Sequence, residues 1–167
     1  MRFLAAIGMV AVVAVIAAGV YLFGGFYNVA ASVDDIGIID WAVVRVREAS
    51  VHRRADATSP IKLDDLEMIR AGAREFAQYG CANCHGAPGV DWAKFAEGLN
   101  PSPPDLKDEA NREPEQLFWA IKNGIRMTGM PSFGKAGVPD QDIWQIVAFI
   151  KKLPSISEAD YKSWTAP

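Results

Sequence analysis

Two cysteines and a histidine carry the chemistry that this chain advertises. In Cys81-Ala82-Asn83-Cys84-His85-Gly86 the thiols are separated by two residues and the imidazole follows at once. Three readings compete. A structural zinc site needs four protein ligands, yet the chain holds only 2 Cys and 2 His, and the second histidine, His52, lies in the charged run Val51-His52-Arg53-Arg54. A redox dithiol belongs at the start of a helix that follows a strand, and no strand pattern flanks this motif. The third reading uses every residue: both thiols add to the vinyl groups of one haem, and His85 lies beneath the ring as an axial ligand. The spacing therefore predicts one covalently attached haem c.

A second ligand to that iron would separate electron transfer from substrate chemistry. Downstream, Gly124 to Gly137 reads GIRMTGMPSFGKAG, with Met127 and Met130 as soft thioether candidates. Met130 stands between Gly129, which permits close approach, and Pro131, which restrains the backbone beside it. Met127 is the alternative ligand, and packing against the ring is the plain role for either.

The elements that position these groups are helices. Leu66, Ile69, Ala73, Phe76 and Ala77 share one face of a helix over 66–79 that Gly80 ends just before the cysteines. Pro114 opens a second helix with Gly124 as its stop. A third begins at Asp140, expected as its cap, buries Ile143, Ile146, Val147 and Ile150, and ends at Lys151, Lys152 and Pro154. No alternation persists long enough to propose a sheet, so the fold class is all-α.

The amino-terminal third is organised differently. No residue from Phe3 to Phe23 is charged. At about 1.5 Å per helical residue this run reaches across the ~30 Å hydrocarbon layer of a bilayer. Val29-Ala30-Ala31 has the small side chains of a signal-peptide cleavage site, but such peptides have apolar regions of only about 7–15 residues. An uncleaved anchor is the expectation, with Tyr21, Phe23, Phe26 and Tyr27 at the interface. Arg2 before the span and Asp34-Asp35 after it place the following chain in a periplasm-like space. Membrane lipid is then one partner. Ile36, Ile39, Val43 and Val46 recur at helical spacing in a short amphipathic helix facing the membrane surface or a partner subunit, and Ala57-Thr58-Ser59-Pro60 breaks it. The expected partition is an anchor over 1–31, a juxtamembrane helix and linker over 32–65, and a haem domain over 66–167. The net charge of −3 and the scattered basic residues argue against a nucleic-acid partner.

Residues 66–154 resemble class I cytochromes c, in the order helix with Gly72 and Phe76, CANCHG, proline loop, MPSFG, terminal helix. The anchor, FYNVAAS, LNPSPPDL, LFWAIKNGIRMTGMPSFG and IWQIVAFIKKLP extend the resemblance to membrane-anchored monohaem cytochromes c of bacteria. It implies short helices around one haem held by Cys81 and Cys84, with His85 and Met130 as the iron ligands. It further implies that the Pro104 carbonyl accepts a hydrogen bond from His85 Nδ1 and that Leu106 packs on the haem, in a loop where Pro103 replaces the family's glycine. Gly72 and Phe76 would meet Ile146 and Phe149 where the first and last helices cross. The implied function is single-electron transfer with redox partner proteins and without a small-molecule substrate, as a tethered carrier or complex subunit. Lys94, Lys122, Arg126 and Lys135 are candidates for a steering rim. A sensor or haem enzyme with an open sixth position is the alternative.

Overall fold

The structure is a computed structural model that describes residues 2–33 and 36–166. It divides into two units, Met1–Asp34 and Asp35–Pro167. The first is essentially one helix, α1 (Arg2–Phe23), with no buried residue. Its mean hydropathy of 2.7 and its length make it apolar and long enough to cross a membrane. Tyr21 in its last turn meets Tyr27, beyond its end, edge to face, with ring centroids 6.4 Å apart.

The second unit is all-helical, with no strand among the described residues: α2 (Gly37–Arg54), α3 (Leu66–Gln78), α4 (Ala82–His85), α5 (Pro114–Asn123), α6 (Asp140–Lys152) and α7 (Glu158–Thr165), joined by loops and short 3₁₀ turns. Local chemistry sets the helix ends. Asp65 caps α3 by accepting from the Glu67 amide at 2.8 Å. In α5, Pro114 occupies the first turn, where its missing N–H costs nothing. Asp140 and Asp142 at the start of α6 and Lys151 and Lys152 at its end complement the helix dipole. Asp140 is not the cap of α6, however. It is the first helical residue, Pro139 holds the cap position, and the Asp140 carboxylate accepts from Lys122 Nζ at 2.7 Å.

Every residue of α6 from Ile143 to Ile150 is buried, and α3 and α5 both pack against it. A helix enclosed in this way no longer needs a polar stripe in its middle. Phe76 of α3 meets Phe149 with centroids 5.2 Å apart, and Phe118 of α5 stacks on Trp144 at 4.2 Å. Such ring pairs add about 0.5–1.5 kcal/mol each beyond their area burial.

The α3–α6 crossing depends on Gly72. A Cβ there would run into the backbone carbonyl of Gln145 and press on the amide of Ile146. Backbone atoms give way less readily than a side-chain tip, so Gly72→Ala should destabilise the fold by roughly 1–3 kcal/mol, the usual cost of overpacking. Denaturant unfolding of the haem-loaded protein measures it, and an unchanged midpoint would contradict this account of the crossing.

Two features lie outside what periodicity suggested. Of the residues expected on one apolar face at α2, Ile36, Val43 and Val46 are exposed and Ile39 is half-buried, and the helix has a second, inward side on which Val51 is buried. The inward side carries Arg47 and Glu48, whose charges concealed it from a hydrophobic pattern. Helix α7 had no strong apolar signal, yet it packs on α3 and buries Tyr161 against Phe149. Its start was visible in principle: Ser157 accepts from the Asp160 amide at 3.1 Å, a cap followed three residues later by an acid.

Candidate haem site

Between α2, α3, α5, α6 and the loop around residues 99–106 lies a cavity of about 310 Å³. Cys81, Cys84, His85, Met130 and Leu106 all line it, with Phe76, Leu117, Ile121, Ile146 and Ile150 among its apolar walls. Residues far apart in sequence thus converge on one space.

The thiols are placed by the end of α3. Gly80 adopts a left-handed φ of 75°, which lets the chain turn sharply, and the Cys81 amide bonds back to the Phe76 carbonyl at 3.0 Å. The single turn of α4 then carries Cys84 and His85, with the His85 amide on the Cys81 carbonyl at 3.0 Å. Both cysteines are half-buried. Burial pushes the Cys81 thiol up to about 12. That is the opposite of the lowered pKa that a catalytic dithiol uses to present a thiolate. Among the described residues no group of three or more His, Cys, Asp and Glu is arranged to hold a metal ion, so nothing here supplies a zinc ligand set.

His85 Nδ1 lies 3.0 Å from the Pro104 carbonyl oxygen. A carbonyl can only accept, so Nδ1 carries the proton and Nε2 is left with its lone pair. Burial lowers the imidazole pKa, against the raising influences of the Pro104 hydrogen bond and the Glu109 charge. The neutral ring is the form that binds a metal. Pro104 itself is exposed, whereas Leu106 is buried at 8 % exposure.

The methionine loop is stitched to α5 from both sides. Gly124 ends that helix at φ 68°, and a Cβ there would strike the backbone of Pro131 and Ser132 at 2.7 Å. Ile125 N–H donates to the Met130 carbonyl at 3.2 Å, and Thr128 closes the interior of the loop. Its hydroxyl donates to the Ile125 carbonyl at 2.8 Å and accepts from the Met130 amide at 3.1 Å. Ser132 Oγ, the Phe133 amide and the Gly134 amide then return to carbonyls of Ile121 and Lys122. Met130 is half-buried and lines the cavity; Met127 is 76 % exposed, has a φ of 61°, and does not line it. Thr128 and Ser132 were not singled out from sequence, because a hydroxyl amid glycines reads as ordinary loop.

Of the four candidate rim cations, two are paired: Lys94 with Glu97 at 2.6 Å and Lys122 with Asp140 at 2.7 Å. Arg126 and Lys135 are exposed.

The donor set fits a c-type haem. Two thiols stand beside an imidazole whose free nitrogen can ligate, a thioether borders the same cavity, and the walls are mostly apolar. No curated protein and no solved structure matches the chain. A family model does: residues 67–150 match the one described as cytochrome c oxidase, cbb3-type, subunit III. The matched stretch holds CANCHG, the proline loop, the methionine loop and nearly all of α6, and the chain belongs to this family of class I c-type cytochromes.

Proposed function

We propose that the protein is a membrane-tethered carrier of single electrons whose haem domain lies in the periplasm. The observation that carries this reading is the convergence of Cys81, Cys84, His85 and Met130 on one largely apolar cavity. In this reading Cys81 and Cys84 would attach one haem through thioether bonds, and His85 and Met130 would be the ligands to its iron. When bound, the haem supplies an iron that changes charge by one electron while keeping its ligands.

Each residue has a stated part in that exchange. Pro104 holds the His85 ring in the tautomer that ligates. The hydrogen-bonded loop holds Met130 in place, so its thioether fills the position that a substrate would need. With the Met130 thioether and the His85 imidazole both holding the iron in an apolar pocket, the reduced state would be favoured and the potential raised. Leu106 and Ile146 exclude water from the ring and limit the solvent rearrangement that accompanies each electron.

Residues 1–31 are the anchor in this reading and membrane lipid is its partner, while redox proteins exchange electrons with residues 66–167. The matched family is named for an oxidase subunit, which supports service within a respiratory complex. Cell fractionation tests the topology. The haem-stained polypeptide should sediment with membranes, retain its first helix on amino-terminal sequencing, and be cut by protease added to spheroplasts. A soluble mature chain beginning at Ser32 would contradict the anchor.

A further inference from the structure

Part of the cavity wall comes from outside the family-matched stretch. Val44, Arg47, Glu48 and Val51 of α2 line it, and their spacing of three and four places them on one helical face. Val51 is only 4 % exposed. An ion-pair latch fastens this face to the haem domain: Arg112 donates from Nη1 to Glu48 at 2.9 Å and from Nε to Glu109 at 2.5 Å. Lys151 Nζ donates to the Arg112 carbonyl at 2.9 Å. Burial pushes the Glu48 carboxyl up, but the guanidinium groups of Arg112 and, less strongly, Arg47 together outweigh it and hold the group below its ordinary value.

Arg47 and Arg112 are the two guanidinium groups in the lining, and they are unequally engaged. Arg112 already serves two carboxylates, so a further anion beside it would meet both. Arg47 has only Nε near Glu48 Oε1, at 3.6 Å, which is longer than a hydrogen bond, and its side chain is 31 % exposed. Among the described residues its terminal nitrogens make no hydrogen bond or ion pair. A guanidinium offers five N–H groups in a planar fork that matches a carboxylate, and a haem carries two ionised carboxylates on its rim.

We propose that α2 is part of the haem-binding site, with Val44 and Val51 covering the ring and Arg47 receiving one of its carboxylates. This rests on the haem reading above and extends the site beyond residues 67–150. Removing the Arg47 charge would favour the oxidised state, because a cation near the iron disfavours the higher iron charge.

The test uses the full-length, haem-loaded protein with Arg47→Ala, Arg47→Lys and, as a charge-matched control, Arg45→Ala, since Arg45 is exposed on the same helix and does not line the cavity. The readouts are the carboxylate-bending bands of the haem in resonance Raman spectra and the midpoint potential. Arg47→Ala should shift a band and lower the potential, Arg47→Lys should recover most of the potential, and Arg45→Ala should change neither. Identical spectra and potentials for Arg47→Ala and Arg45→Ala, with haem present in both, would overturn this assignment and leave the haem reading intact. So would a loss of haem content in Arg47→Ala without a band shift, since that is what a merely structural residue would do. A wild-type chain that holds no haem would overturn both readings at once.

Discussion

Met130→Ala is expected to turn a six-coordinate haem that ignores carbon monoxide into one that binds it, and to lower the midpoint potential. In the proposed reading the thioether is the soft ligand that would favour reduced iron, and axial ligands set haem potentials over a range of about 0.8 V. Alanine offers neither a ligand nor the volume to close the gap. Met127→Ala is the matched control. That side chain points to solvent, so its loss should leave ligation, potential and carbon monoxide response unchanged. The reverse pattern, in which Met127→Ala opens the iron, would assign the distal position to the wrong methionine. Absorption spectra of the reduced variants with and without carbon monoxide distinguish the two.

The second large effect concerns attachment. With both Cys81→Ala and Cys84→Ala in place, denaturing electrophoresis should show no haem on the polypeptide, while each single variant should retain one covalent bond. The chain has 2 Cys in all, so no other thiol can substitute. The folded state should suffer as well, since the cavity's apolar side chains would lose the group they pack on. Haem that extracts freely from the wild type would rule out covalent attachment.

The parts of this protein that could be read from sequence are those where chemistry or periodicity is local. CANCHG is contiguous, and α3, α5 and α6 carry apolar residues at helical spacing with recognisable starts and stops. Met130 could be favoured because glycine and proline flank it. Its real mount is wider: Thr128 and Ser132 hydroxyls and the carbonyls at the end of α5 hold the loop. Those hydrogen bonds require the fold before they exist.

What was not legible depends on pairs that only tertiary structure brings together. Glu48 and Arg112 meet 64 positions apart, so the inward face of α2 carries charge where a hydrophobic pattern expects apolar side chains. Partners neutralise that charge on the inside, and the apolar residues Ile38, Trp41 and Val46 are left outward. Asp140 misled in the same way. An acid at a helix start reads as a cap, but here Lys122 from the preceding helix takes it. Helix α7 is short and mostly polar, and its evidence lies in what Tyr161 touches.

The central claim is that both axial positions of the iron are filled by this chain, leaving it an electron carrier. The most direct measurement is exposure of the reduced, full-length wild-type protein to carbon monoxide at neutral pH, followed by absorption spectroscopy. The account predicts no change in the spectrum, because the imidazole of His85 and the thioether of Met130 leave no site for the gas. Ready formation of a carbon monoxide complex would contradict it, and would make the protein a haem enzyme or gas sensor with an open or easily vacated sixth position.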